Sequence, residues 1–265
     1  MKYNIVSNDY KESSELKNKL QKALDENKIF ELSNDNPQVV FIIGGDGTFL
    51  KTINKFQHLL FNDDFYLVPI KAGSLNFYST FNETNFLESL NLLKNIQNEF
   101  IDKLSLLEVE LPDKTRYAIN EIKVIDHVKT LSTKIFVNDE LIENFTGSGI
   151  VMATKTGSTG YIKSIQGSII LSELELWEIA EIAPLSNAVF STINSPIIMD
   201  KNQIISLEGK LKGKSIIIDT FEYKLEVDKL QIKIAEKYLK VLVNPDNRMT
   251  ITCRLKKTLT HNLKK

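Results

Sequence analysis

"VVFIIGGDGTFLK", residues 39–51, decides the fold. Five consecutive apolar residues, Val39 to Ile43, fit a strand covered on both faces, as in a parallel sheet. Gly44, Gly45 and Gly47 then permit a sharp turn into a helix whose apolar positions are Phe49, Leu50, Ile53 and Phe56. A lone carboxylate, Asp46, stands inside that turn. Two roles are open to it. It caps a helix beginning at Thr48, or it faces a ligand at the carboxyl end of the strand, where open α/β sheets bind theirs and helix N-termini offer N–H groups to phosphates. The spacing is neither G-x-x-x-x-G-K-[ST] nor G-x-G-x-x-G, which excludes a Walker loop and a dinucleotide fingerprint.

Outward from this stretch the β-α pattern repeats. "YNIV" (3–6) precedes Leu16, Leu20, Ala23 and Leu24 at helical spacing, and "FYLVPI" (65–70) precedes Phe86, Leu90 and Leu93. The first hundred residues read as a three-layer, Rossmann-like α/β lobe. Beyond residue 100 the period becomes two: Leu107, Val109 and Leu111 alternate with glutamates, and Leu230, Ile232 and Ile234 with Gln231 and Lys233. A β-rich second lobe is expected, interrupted by one helix over "SELELWEIAEIAPL" (172–185), with Leu176, Ile179 and Ala180 on one face and Pro184 at its end. The boundary near 100 rests on this change of period, because no Gly-, Ser- or Pro-rich linker marks it.

Composition excludes several classes. With 33 Lys and Arg against 34 Asp and Glu, the net charge is -1, so there is no basic footprint for a nucleic-acid backbone. A single cysteine, Cys253, rules out an intrachain disulfide framework and a cysteine metal cluster; it fits a reducing compartment, and the cytoplasm is the expected location. No apolar run approaches the ~20 residues that span a bilayer, and the N-terminus has no signal-peptide core, so no membrane partner is expected. His58, His127 and His261 lack metal-ligand spacing, and neither a zinc site nor any other metal-binding residue is predicted. In the basic tail, Leu255, Leu259 and Leu263 predict a helical or strand-like terminus with solvated lysines.

A second stretch, "TGSGIVMATKTGSTGYIKSIQGS" (146–168), crowds Thr154, Thr156, Ser158, Thr159 and Ser164 among glycines. Such clusters make turns and caps or line a pocket. Taken with the first stretch, it makes the chain resemble the NAD kinase family. The likeness is carried by "GGDGTFL" (44–50), "AGSLNF" (72–77), "INE" (119–121), "TKTGSTGY" (154–161) and "INSPIIM" (193–199), in family order and spacing over nearly the full length. Diacylglycerol and sphingosine kinases share a GGDGT-like loop; the NE pair and the TGSTGY segment single out NAD kinase.

The resemblance implies an α/β lobe over 1–100, a sandwich-like, NAD-binding lobe over 101–245, a segment 246–265 returning to the first lobe, and assembly as a homodimer or homotetramer. It implies ATP-dependent phosphorylation of NAD at the adenosine ribose 2′-hydroxyl, with Mg²⁺ or another divalent cation accompanying ATP. Asp46 would be the general base, accepting the hydroxyl proton as the γ-phosphorus arrives. Around it Gly45, Gly47, Thr48 and Lys51 would contact nucleotide, Lys51 reaching a phosphate or remaining a solvated surface residue. Asn120 would meet the adenine and Glu121 the ribose hydroxyls. Thr156, Thr159, Gly160, Tyr161 and Ser164 match further cofactor contacts, Thr156 near the adenine edge and Tyr161 against a nucleoside. Ala183 matches a small residue that lets the cofactor approach a helix end, and Asp219 an aspartate on a late hairpin. Ser148 stands where the family has a carboxylate contacting cofactor, often across a subunit interface. Thr146, Lys155, Gly160, Gln166 and Asn76 are further departures. Two alternatives remain: an NAD-binding homologue with little turnover, and a lipid kinase of the GGDGT group.

Overall fold

The computed structural model describes residues 1–73, 76–187, 191–248 and 250–260; Ser74 and Leu75 of "AGSLNF", and His261 and Leu263 of the tail, lie outside them. The chain divides into two compact units, one of Met1–Leu104 with Tyr238–Lys265 and one of Ser105–Lys237. The first contains β1 (Lys2–Ser7), α1 (Lys11–Asp25), β2 (Glu31–Leu32), β3 (Val39–Gly44), α2 (Asp46–Lys55), β4 (Tyr66–Lys71), β5 (Phe81–Asn82), α3 (Phe86–Leu92) and β6 (Ile101–Leu104). The second contains β7 (Leu107–Glu110), β8 (Thr115–Ala118), β9 (Glu121–Ile125), β10 (Leu131–Val137), β11 (Glu140–Thr154), α4 (Tyr161–Ser164), β12 (Leu176–Pro184), β13 (Ile197–Asp200), β14 (Ile205–Gly209), β15 (Ser215–Ile218), β16 (Phe221–Lys224) and β17 (Lys229–Ile234). The chain then returns to the first unit with β18 (Leu239–Leu242) and α5 (Ile251–Thr260).

The first unit holds a sheet in the order β2-β1-β3-β4-β18-β6, parallel except for the β18/β6 pair, with β5 added parallel to β4. Every residue of β3 is buried, as its unbroken apolar run requires. Leu16, Leu20 and Leu24 of α1 and Phe86 and Leu90 of α3 pack with Phe41 and Ile43. Where β3 meets α2 the backbone at Gly44 has φ +152°, and a Cβ there would lie 2.5 Å from Thr48 Oγ1 and 2.9 Å from Asn8 Nδ2. Glycine is therefore demanded at this turn. It delivers Asp46 as the first residue of α2, two positions earlier than the helix start expected from the sequence.

The second unit is built on an antiparallel sheet in the order β16-β15-β9-β11-β10-β14-β17-β7-β8, extended through β12 and β13 beside β11. Leu107, Val109 and Leu111, and Leu230, Ile232 and Ile234, are buried on its inner face, as their alternation predicts.

The helix expected over 172–185 is absent: Leu176–Pro184 is strand β12, paired antiparallel with β11 and β13. Both faces of this strand are covered. Trp177 and Ile179 enter the main core, while Ala180 packs on the other side with Val151, Ala153 and Ile162, and Ile182 packs against that group. A strand buried on both faces can place apolar residues at 176, 179 and 180 and so imitate a helical stripe.

Glu178, fully buried on β12, accepts the Ser168 amide at 2.8 Å through Oε2, while Oε1 has no partner. Burial pushes its carboxyl up from 4.5 to about 7, against the pull of that amide. The folded chain thus holds a proton that the unfolded chain releases; the stability linked to Glu178 is complete below pH 4.5 and is lost as pH rises through about 7. Glu178→Gln should give a shallower loss of stability between pH 5 and 8 and a gain on the order of 2 kcal/mol at pH 8, read from denaturant melts. An unchanged pH slope would contradict the assignment.

Candidate functional site

In the first unit the site forms around α2. Asp46 is half-buried, and its Oδ1 accepts the Phe77 amide at 2.8 Å, a bond to the segment after β4 and not to its own helix. That segment is braced by Asn76, whose Nδ2 donates to Gly44 O at 2.7 Å while its Oδ1 accepts the amides of Tyr78 and Ser79, both at 2.8 Å. Tyr78 in turn stacks on Phe49 of α2, with centroids 4.2 Å apart and planes at 15°. Burial raises the Asp46 carboxyl above its ordinary range, opposed by the amides of Phe77 and Tyr78 and by the charge of Arg254. Gly47 and Lys51 are exposed and Thr48 is buried against the turn; a Cβ on Gly47 would meet nothing within 4 Å. The backbone there is open to a ligand.

In the second unit the pair Asn120–Glu121 opens β9 and is held by Asp219 at the β15–β16 turn. Asp219 Oδ1 accepts the amides of Asn120 and Glu121 at 2.8 and 3.2 Å, and Oδ2 accepts that of Ile119 at 3.1 Å. Only 7% of Glu121 is exposed. Burial pushes Glu121 up to about 7, opposed by Lys123, whose Nζ lies 3.6 Å from Oε1, and aided by the Asp219 charge. Burial likewise pushes Asp219 up to about 6 against its three amides.

The threonine-glycine segment packs directly on this pair. Thr154 Oγ1 donates to Ile119 O at 2.5 Å and accepts the Gly157 amide at 3.0 Å, while the Thr154 amide donates to Asn120 O at 2.9 Å. A Cβ on Gly157 would stand 2.0 Å from Asn120 O, so only glycine allows the two segments to touch. Thr159 Oγ1 donates to Thr156 O at 3.2 Å, Ser164 Oγ to Tyr161 O at 2.6 Å, and Ser158 Oγ to Lys155 O at 2.7 Å. Tyr161 is exposed, with Lys123 Nζ 4.2 Å from its ring centroid, so Lys123 touches both Glu121 and Tyr161.

In the second unit the fold thus sets Asn120 and Glu121 against Asp219, with Gly157 on Asn120, Gly160 near the Glu121 carboxyl and Tyr161 joined to it through Lys123, while Thr159 and Ser164 bond within their own turns; in the first unit Asp46, Gly47 and Thr48 lie on α2 just after Gly45. Within the second unit the fold does not bring Ser148 and Ala183 to the Asn120–Glu121 pair. Both lie at the other end of the β11/β12 pair, where Gly147 faces Pro184. Six residues of strand separate Ser148 from Thr154, roughly 20 Å. Ala183 belongs to strand β12 and adopts φ +45°. Sequence reasoning missed Lys123, the bracing role of Asn76, and Arg254. Among the described residues no group of three or more His, Cys, Asp or Glu side chains is placed to hold a metal ion.

Comparison with known proteins identifies the family. The family model described as ATP-NAD kinase C-terminal domain matches residues 117–243, from Asp219's partners to the end of β18. An NAD kinase of Enterococcus faecalis is 34% identical over 238 residues, covering 88% of this chain and 85% of its own. The chain belongs to the NAD kinase family. Another family member, from Mycoplasmoides gallisepticum, is 34% identical over 211 residues, 78% of this chain and 73% of its own. In fold, the chain is similar to the crystal structure of an NAD kinase from Archaeoglobus fulgidus in complex with ATP, with TM-score 0.76 and 19% identity over 97% of this chain and 99% of the other. It is also similar to yeast NADH kinase complexed with NADH, with TM-score 0.80 and 16% identity over 99% and 88%. Membership sets aside the lipid-kinase alternative, and no helix among the described residues is long and apolar enough to cross a membrane.

Gly157→Ala tests the contact that unites the second group. The added Cβ has backbone to meet, so the segment must part from Asn120. A loss of at least about 2 kcal/mol is expected by denaturant melt, together with weaker NAD binding by calorimetry. A variant with wild-type stability and affinity would show that the segments need not touch.

Proposed function

We propose that this chain transfers the γ-phosphoryl group of ATP to the adenosine ribose 2′-hydroxyl of NAD, giving NADP and ADP, with Asp46 as general base. The observation that carries the reading is the placing of one half-buried carboxylate at the open, glycine-lined start of α2, its Oδ1 fixed by the Phe77 amide. The hydroxyl oxygen bonds to the γ-phosphorus, the bond from phosphorus to ADP breaks, and the proton passes to Asp46. Most of the acceleration in phosphoryl transfer comes from alignment and charge neutralisation, and a positioned base adds about 10²–10⁴-fold. Magnesium takes one or two carboxylates and completes its shell with water and phosphate oxygens. A divalent cation of this kind would arrive with ATP as part of the substrate.

In the second unit Asn120 would bond the adenine and Glu121 would accept from ribose hydroxyls, which needs its ionised form. NAD capture should therefore strengthen as pH rises through about 7, where burial has placed Glu121. Ser148 and Ala183, remote from this group along β11, would meet the cofactor of a second copy, and assembly as a homodimer or larger follows from that. Light scattering should report such an assembly; a fully active monomer would remove this role.

Steady-state NADP formation tests the reaction. Asp46→Asn should lower kcat by about 10²–10⁴-fold with NAD affinity little changed. In the wild type, kcat/KM for NAD should climb through about pH 7, and Glu121→Gln should flatten that limb. Tight NAD binding with no NADP at any pH would instead support the binding homologue raised by Ser148.

A further inference from the structure

We infer that Arg254, on the C-terminal helix α5, is a positioning residue for Asp46: it grips the loop that fixes this carboxylate and sets a cation beside it. The inference rests on the reading of Asp46 as the base. Its contacts run in series. Arg254 Nη2 meets Asp102 Oδ2 of β6 at 2.8 Å, and Arg254 Nη1 donates to Phe77 O at 3.2 Å. The guanidinium carbon stands 5.5 Å from the Phe77 ring centroid, and the amide of this same Phe77 donates to Asp46 Oδ1 at 2.8 Å. Phe77 is thus held on one side by its carbonyl and ring, and on the other presents its N–H to Asp46.

Arg254 is only 7% exposed, so its charge is paired by necessity. Yet Asp102 is shared: Arg248 Nη2 also meets its Oδ1, at 2.9 Å. Asp102 thus receives two guanidiniums, one on each oxygen. Three kinds of group act on Asp46: the amides of Phe77 and Tyr78 from the loop, the amide end of its own helix α2, and Arg254 from α5. Arg254 is the cation among them, and its pull opposes the rise caused by burial. Burial makes Asp46 a better base but a scarcer anion, and the Arg254 charge opposes that rise. A residue of α5 so bears on one in the β3–α2 turn.

The test uses the full chain with Arg254→Met, Arg254→Gln and Arg254→Lys. The first two should move the acid limb of the kcat–pH profile upward by about one unit and lower kcat on the order of tenfold even above that limb. Arg254→Lys keeps the charge without the fork; it should restore the limb while recovering only part of kcat. Titration of the Asp46 carboxyl by ¹³C NMR without substrate should show the same upward shift. Should Arg254→Met fail to fold, Arg254→Gln reads the same quantities. A folded, neutral variant in which limb and carboxyl titration both stay in place overturns the inference, since a merely structural arginine would lower stability and move neither. If Asp46→Asn retains turnover, the reading of Asp46 as base fails instead, and the NMR titration still decides whether Arg254 acts on that carboxylate.

Discussion

Three consecutive amides, those of Ile119, Asn120 and Glu121, converge on the carboxylate of Asp219, 6% of which is exposed. Withdrawing an anion from water is costly, and hydrogen bonds from oriented amides are what make it tolerable. The gain is geometric. With its amides pinned on one side by Asp219, the segment presents the carbonyls of Ile119 and Asn120 to Thr154, and Gly157 closes against Asn120. The Asn120–Glu121 group of the second unit, proposed above to meet the cofactor, is assembled on this clamp. Asp219 itself sits at φ +52°, strain that the three amide bonds help to hold.

The same device recurs on α2 in a looser form. Asp46 receives the Phe77 amide but keeps more contact with solvent than Asp219. The contrast separates a structural carboxylate, saturated by amides, from one left able to take a proton from a substrate. In both units burial pushes carboxyls up, and in both a cation counters it: Lys123 beside Glu121 and Arg254 beside Asp46. The roles proposed for those carboxylates need them ionised, whereas burial alone favours their protonated forms.

Departures from the family pattern have physical consequences here. Asn76, in place of a glycine, uses its amide to tie the loop of Phe77 to the turn at Gly44. Lys155, in place of a proline, reaches the carbonyls of Ser172 and Leu174 at 2.9 and 3.2 Å and fastens the chain that follows the threonine-glycine segment. Gln166, in place of the first of two glycines, keeps the glycine-like backbone at φ +67° and carries the strain of a side chain there. Nothing in the structure accounts for Thr146 in place of an arginine.

Local signals settled much of this protein. The unbroken run Val39–Ile43 followed by glycines fixed a buried parallel strand and a turn, because few other structures accept five consecutive apolar residues and a residue at positive φ. Strict alternation likewise fixed strands β7 and β17, since a period of two serves a single covered face. At β12 this reasoning failed, for a strand covered on both faces has no period of its own, and which faces are covered is decided by segments distant in sequence. The motifs named Asp46, Asn120 and Glu121, but not what orients them. Asp219 lies about a hundred residues from the amides it holds, and Arg254 lies 177 from Phe77. Only the folded chain brings such residues within hydrogen-bond reach, because bonds of about 3 Å carry no trace in sequence spacing once the chain has crossed a sheet.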